Sequence, residues 1–209
     1  MLIGIDFDNT IAGYDDVFVS AAVGMDFLQI GEASGKKGVR DCLMRRPGGE
    51  QEWMRVQGKV YGARMNEARL IDGVSDFLLA CKESNIPVCI VSHKTKFGHF
   101  DEDRINLREA ALSWMQSQGF FDPDGFFLPC DAVYFEPTRE AKIERISALG
   151  FTHFIDDLIE VFLEPGFPEK TRRYLFSPAG GGELVQSVTS CRSWADISGK
   201  ILGEGNPDD

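Results

Sequence analysis

Apolar residues along this chain fall into two kinds of run. Unbroken runs at residues 2–5, 88–91, 132–135, 153–155 and 174–176 are too short for helices and show no alternation. Such runs predict strands covered on both faces. Between them the spacing turns helical. Val74, Phe77, Leu78 and Cys81 recur at i, i+3, i+4 and i+7, with Asp72 as an N-cap and Pro87 as a stop. Residues 104–118 carry Ala111, Leu112 and Met115 on one face and end at Gly119. Thr138 caps a third pattern, Ile143, Ile146 and Leu149, which closes at Gly150.

Strands alternating with helices predict right-handed crossovers and an α/β fold, a doubly wound, Rossmann-like parallel sheet. The stretch after the first strand is too long for an ordinary connection. Residues 12–70 read as a small inserted helical cap, with helices over 17–30 and 52–68 separated by a Gly-, Lys- and Arg-rich segment at 31–49. The core is then expected over 1–11 and 71–202, with a flexible polar tail at 203–209.

Charge narrows the class of partner. The 209 residues carry 33 Asp and Glu against 22 Lys and Arg, a formal charge of −11, with no long basic run. Nucleic acid and anionic membranes are disfavoured, because both select for a positive stripe. No basic, apolar leader and no membrane-length apolar stretch is seen, so a cytoplasmic location is expected. Cys42, Cys81, Cys89, Cys130 and Cys191 are scattered without a CxxC pair and read as free thiols.

In a parallel sheet, ligands bind at the carboxyl ends of the strands. Asp6 and Asp8, in the run DFDNT, follow the first strand. Paired carboxylates there call for a metal or a proton, although Asp and Asn are also common in solvated turns. Ser92 ends the second strand, where a hydroxyl serves equally as a phosphoryl hydrogen-bond donor or as a turn cap. Asp156 and Asp157 end the fourth, as Mg²⁺ ligands or as a helix N-cap. Lys142 lies near the carboxyl end of the third strand, either solvated or turned inward against an anion.

In this order the motifs resemble those of the haloacid dehalogenase (HAD) superfamily of hydrolases. DFDNT matches its DxDx[TV] motif, Ser92 in IVSHKT its second, Lys142 in REAKIERI its third and the pair in FIDD its fourth. The resemblance implies a Mg²⁺-dependent phosphatase acting on a small phosphorylated metabolite, with Asp6 as nucleophile and Asp8 as general acid and base. Ser92 and Lys142 would orient and neutralise the phosphoryl group. Mg²⁺ would lie among Asp6, Asp156, Asp157 and the backbone carbonyl of Asp8. Asp8 also sets the chain apart from true dehalogenases, whose halide leaves without a proton.

Thr10, His93 and Lys94 are expected as substrate contacts. The loop containing His93, Lys94, Lys96 and His99 reads either as cations facing an anionic substrate or as a solvated turn. A phosphotransferase or phosphomutase would use the same aspartate, and a phosphate-sensing or partner-binding module on this fold is the non-catalytic alternative. His153 reads as structural, Gly180, Gly181 and Gly182 as a loop, and Trp53 and Tyr61 as lining or packing of the helical cap.

Overall fold

The computed structural model describes residues 1–100, 103–180 and 185–203. The chain forms two compact units. One comprises Met1–Ala12, Leu70–His93 and Gly119–Asp209; the other comprises Gly13–Arg69 and Lys94–Gln118.

In chain order the elements are β1 (Ile3–Ile5), β2 (Ala12–Gly13), α1 (Asp15–Gly24), α2 (Gly35–Met44), α3 (Gly49–Tyr61), β3 (Arg69–Leu70), α4 (Val74–Glu83), β4 (Val88–His93) and α5 (Leu107–Ser117). They continue with β5 (Val133–Glu136), α6 (Arg139–Leu149), β6 (His153–Asp156), α7 (Ile159–Leu163), β7 (Arg172–Phe176), β8 (Val188–Cys191) and α8 (Trp194–Ile201).

The first unit is built on a six-stranded sheet in the order β5-β4-β1-β6-β7-β8, every neighbouring pair parallel. Helices flank it, giving the doubly wound α/β architecture that the alternating runs predict. The chain leaves β1 toward β4 and β5, then returns to β6 and proceeds the other way to β7 and β8. The topological switch therefore falls between β1 and β6, where such sheets bind ligands.

Gly4, at the centre of β1, is a packing requirement. A Cβ there would lie 2.4 Å from Cδ2 of Phe154. Phe154 is fully buried among Ile143, Ile146, Phe151, Phe162 and Phe167, so its ring has little room to retreat.

The structure adjusts several local expectations. Helix α4 starts from Gly73, in the left-handed region at φ 86°, rather than from a cap on Asp72. Helix α6 is capped by the Thr138 hydroxyl, which accepts from Ala141 N at 3.1 Å, and it ends on the left-handed Gly150, as read from the sequence. Helix α5 buries Leu107, Ala111, Trp114 and Met115, while Leu112 lies on its exposed side. The strand β8 was not read from the sequence, because Val188–Cys191 buries only Cys191 and exposes Thr189 and Ser190.

The second unit departs further. The basic segment at 31–49 contains α2, which buries only Val39 and Leu43. Two buried positions in ten residues are a faint signal for a helix. The unit also takes in Lys94–Gln118, which the sequence reading kept with the core at 71–202. The cause lies on α5: the Trp114 indole donates to the Ala68 carbonyl at 3.0 Å. Trp53 stacks on Phe18 with centroids 5.1 Å apart, and Tyr61 meets Phe18 and Tyr14 edge-on.

Gly181, Gly182 and residues 204–209 lie outside the described residues. Among the described residues no helix is long and apolar enough to cross a membrane.

Substituting Gly4→Ala should destabilise the protein by about 1–3 kcal/mol through overpacking against Phe154. The shift in urea midpoint at unchanged slope measures it; an unchanged midpoint would show that Phe154 yields freely.

Candidate active site at the switch point

The sheet register brings separate motifs to one edge. Ile5 pairs with Ile90 on β4 and with Ile155 on β6. Asp6 is thus the first residue past β1, and its N–H still donates to the Ile155 carbonyl at 2.9 Å. Asp156 closes β6. Ser92 stands two residues beyond Ile90 on β4 and is buried.

Lys142 joins the two carboxylates. Its Nζ lies 2.6 Å from Oδ1 of Asp6 and 2.6 Å from Oδ2 of Asp156. All three side chains are buried. The Lys142 ammonium also lies 5.7 Å from the centre of the Phe154 ring. The other oxygen of Asp156 accepts from Leu158 N at 2.9 Å, a turn that re-aims the chain after β6.

Electrostatics inside this cluster are unequal. Burial alone would disfavour a charged Lys142, but the adjacent Asp156 and Asp6 outweigh it and hold the ammonium protonated well beyond its ordinary range. For Asp156 burial dominates; Lys142 pulls its carboxyl down, Asp6 pushes it up, and the result is raised to about 6.

The remaining candidates divide between the two units. Asp8 and Asp157 are half-buried in the first unit. Thr10 is fully buried there, with no hydrogen-bond partner for its Oγ1 among the described residues. His93 is exposed, and its Nε2 lies 3.1 Å from the Pro137 carbonyl oxygen. Lys94 belongs to the second unit, where it is buried with Nζ 4.8 Å from the centre of the Tyr61 ring. Lys96 and His99 are exposed. His153, at the opposite end of β6, stacks on Tyr174 with centroids 5.8 Å apart. Burial pushes the Cys81 thiol up to about 12 and the Cys191 thiol to about 11, so neither is a thiolate at neutral pH.

No family model and no curated protein matches the sequence. Solved structures do match. A HAD-superfamily hydrolase from Ehrlichia chaffeensis aligns over 98% of this chain and 97% of its own, with 16% identity and a TM-score of 0.58. A HAD family hydrolase from Deinococcus radiodurans R1, solved with bound phosphate and sodium, aligns over 98% and 96%, with 14% identity and a TM-score of 0.57. A dehalogenase aligns over 96% of each chain, with 10% identity and a TM-score of 0.54.

The chain has the HAD-hydrolase fold. On that fold, Asp6 and Asp156 occupy the ends of the two strands that flank the switch point.

The donor chemistry fits the divalent cation that the HAD resemblance implies. Asp6, Asp156 and Asp157 each place a carboxylate oxygen within 4.8 Å of the others. Hard oxygen donors of this kind suit Mg²⁺, which retains water alongside one or two carboxylates. Asp6 and Asp156 share one ammonium, and the half-buried Asp157 beside them adds a further carboxylate whose charge a cation would offset. The side chain of Asp8 is not a member of this group.

The trap for missed residues is distance in sequence. The Trp194 indole donates to the carbonyl of Thr10, inside DFDNT, at 3.0 Å across 184 positions. Nothing in the local sequence around Trp194 signals that contact.

Removing the ammonium exposes the sign of this coupling. A carboxyl raised in the folded state favours folding at low pH and loses that contribution as pH rises from its ordinary value, near 3.8, through about 6. Lys142→Met deletes the influence that lowers Asp156, so the window extends upward. We expect about 3–5 kcal/mol of destabilisation at pH 8 and a smaller loss at pH 5, read by metal-free thermal melts at both values. Equal losses at the two pH values would contradict it.

Proposed function

We propose that this protein is a Mg²⁺-dependent phosphohydrolase that removes phosphate from a small phosphorylated metabolite through an aspartyl-phosphate on Asp6. The observation that carries the reading is the Lys142 ammonium between Asp6 and Asp156, with Asp157 close by, at the switch point of the sheet. A buried aspartate held beside a permanent cation is available as an anionic nucleophile.

In the first step a carboxylate oxygen of Asp6 bonds to phosphorus as the ester P–O bond breaks. Asp8 gives its proton to the departing oxygen. In the second, Asp8 takes a proton from water, whose oxygen bonds to phosphorus while the Asp6–phosphorus bond breaks and inorganic phosphate leaves. Lys142 and the Ser92 hydroxyl hold phosphoryl oxygens and offset their charge. The carboxylates of Asp6, Asp156 and Asp157 and the Asp8 carbonyl would hold Mg²⁺, which when bound would supply further neutralisation and orientation. Phosphate and sodium are bound in the Deinococcus radiodurans neighbour, which is consistent with this reading.

The presence of a dehalogenase on the same fold makes Asp8 the discriminating residue. Halide departs without protonation, so a second aspartate suited to acid and base work favours a phosphate ester, whose leaving oxygen needs a proton. On this reading the helical unit is the cap, and substrate choice is assigned to it, with Lys94 and Thr10 among the residues shaping the two units and His93 at the end of β4. A phosphotransferase would keep every step but replace water with another acceptor hydroxyl.

A panel of phosphorylated sugars, nucleotides, organic acids and an aryl phosphate should show phosphate release that requires Mg²⁺ and stops with a chelator. Asp6→Asn should abolish it, lowering kcat by at least about a thousandfold, as loss of a nucleophile does. A wild-type enzyme that, with Mg²⁺, turns over none of these would sink the proposal. Release of halide from a haloacid would instead support the dehalogenase reading.

A further inference from the structure

We infer that Trp194 is a positioning residue for the loop that carries Asp8, acting through the carbonyl of Thr10. The inference rests on the phosphohydrolase reading, and it concerns a residue outside every motif that suggested that reading.

The loop between β1 and β2 is tight. Asn9 sits in the left-handed region at φ 63°. Asn9 N donates to the Ala12 carbonyl at 2.8 Å, and the N–H groups of Ile11 and Ala12 both donate to the Phe7 carbonyl at 3.0 Å. These bonds fix the loop's internal shape. They do not by themselves fix its placement on the sheet.

Placement comes from bonds to neighbouring elements. Asp6 N donates to Ile155 O at 2.9 Å where the loop begins, and Ile71 N donates to Ile11 O at 2.9 Å where it ends. Between these backbone ties the Trp194 Nε1–H donates to Thr10 O at 3.0 Å. This tie comes from a side chain, so substitution can remove it and leave the backbone intact.

The indole is itself held on several sides. Trp194 is 1% exposed. Its ring lies 5.1 Å from that of Phe77 and 6.1 Å from that of Phe176, centre to centre. Gly73 admits it closely, since a Cβ there would lie 2.8 Å from Cβ of Trp194. The backbone under the indole is fixed as well, by the Ser193 hydroxyl accepting from Asp196 N at 3.1 Å and by β8 immediately before it. A donor so restrained sets the position of the carbonyl it meets. Thr10 is two residues from Asp8, and proton transfer by Asp8 is sensitive to displacements of well under an ångström.

The decisive comparison is Trp194→Phe against wild type. Phenylalanine retains an aromatic ring in the same pocket and lacks the N–H. With an aryl phosphate and saturating Mg²⁺, kcat should fall about ten- to hundredfold while KM stays within about twofold. Hydrogen exchange of the Ile11 and Ala12 amides should quicken at least tenfold in the variant, a readout independent of turnover. Unchanged kcat, or a loss confined to KM, would overturn the inference, as would unchanged exchange. If the phenylalanine variant does not fold, benzothienylalanine at position 194, bicyclic but without N–H, carries the same comparison and the same criteria. A wild-type protein inactive on every phosphate ester would instead overturn the underlying reading, and it is told apart because it needs no variant.

Discussion

The arrangement hangs on one buried ammonium. Lys142 enters from the first turn of α6, where a cation is disfavoured by the helix dipole, and it lies inside the first unit where desolvation also disfavours it. Two carboxylates at 2.6 Å reverse both penalties. The geometry needs β1 and β6 side by side so that Asp6 and Asp156 end together. It needs the Thr138 cap to start the helix at a fixed residue. It also needs Phe154 beneath the lysine, which in turn needs a glycine at position 4. The packing of the sheet and the charge of the site are therefore one problem with one solution.

Charge distribution bears on what such a site can accept. The sheet unit carries 21 Asp and Glu against 9 Lys and Arg, while the helical unit carries 12 against 13. The net charge of the chain thus resides in the sheet unit. An anion approaching that unit meets long-range repulsion, which salt screens over roughly 8 Å at physiological ionic strength. Close neutralisation must then come from within the site. Lys142 supplies one positive charge, and on the proposed reading a divalent cation held by the nearby group of Asp6, Asp156 and Asp157 would supply the rest.

The sheet was readable in the sequence because strands buried on both faces are continuous apolar runs, and because their ends carry Asp6, Ser92 and Asp156. Position along the chain fixes position on the sheet edge once the crossovers are right-handed. The helical unit was less readable. Its helix α2 buries two of ten residues and carries two glycines, two lysines, an arginine and an aspartate, so its pattern resembles a solvated segment. The allegiance of 94–118 was hidden for a different reason: it depends on Trp114 finding the Ala68 carbonyl, a tertiary bond that no local spacing encodes. Lys94 shows the consequence, since it follows β4 directly yet is buried beside Tyr61 in the other unit.

A fold shared by hydrolases and a dehalogenase leaves the chemistry to a few side chains. Asp6 and Lys142 serve attack by a carboxylate on phosphorus or on carbon alike, so they do not separate the two. The separation lies in whether a second acid stands where a leaving oxygen would be. Asp8 has the right chemical character, but a carboxyl acts as a general acid only if its carrier loop is held in place through the reaction. The left-handed Asn9, the internal bonds to Phe7 and the indole of Trp194 are the features of this chain that hold it. On the proposed phosphohydrolase reading, the choice of phosphate over halide would thus be written in the residue at position 8 and in the tethering of its loop, rather than in the sheet that both chemistries share.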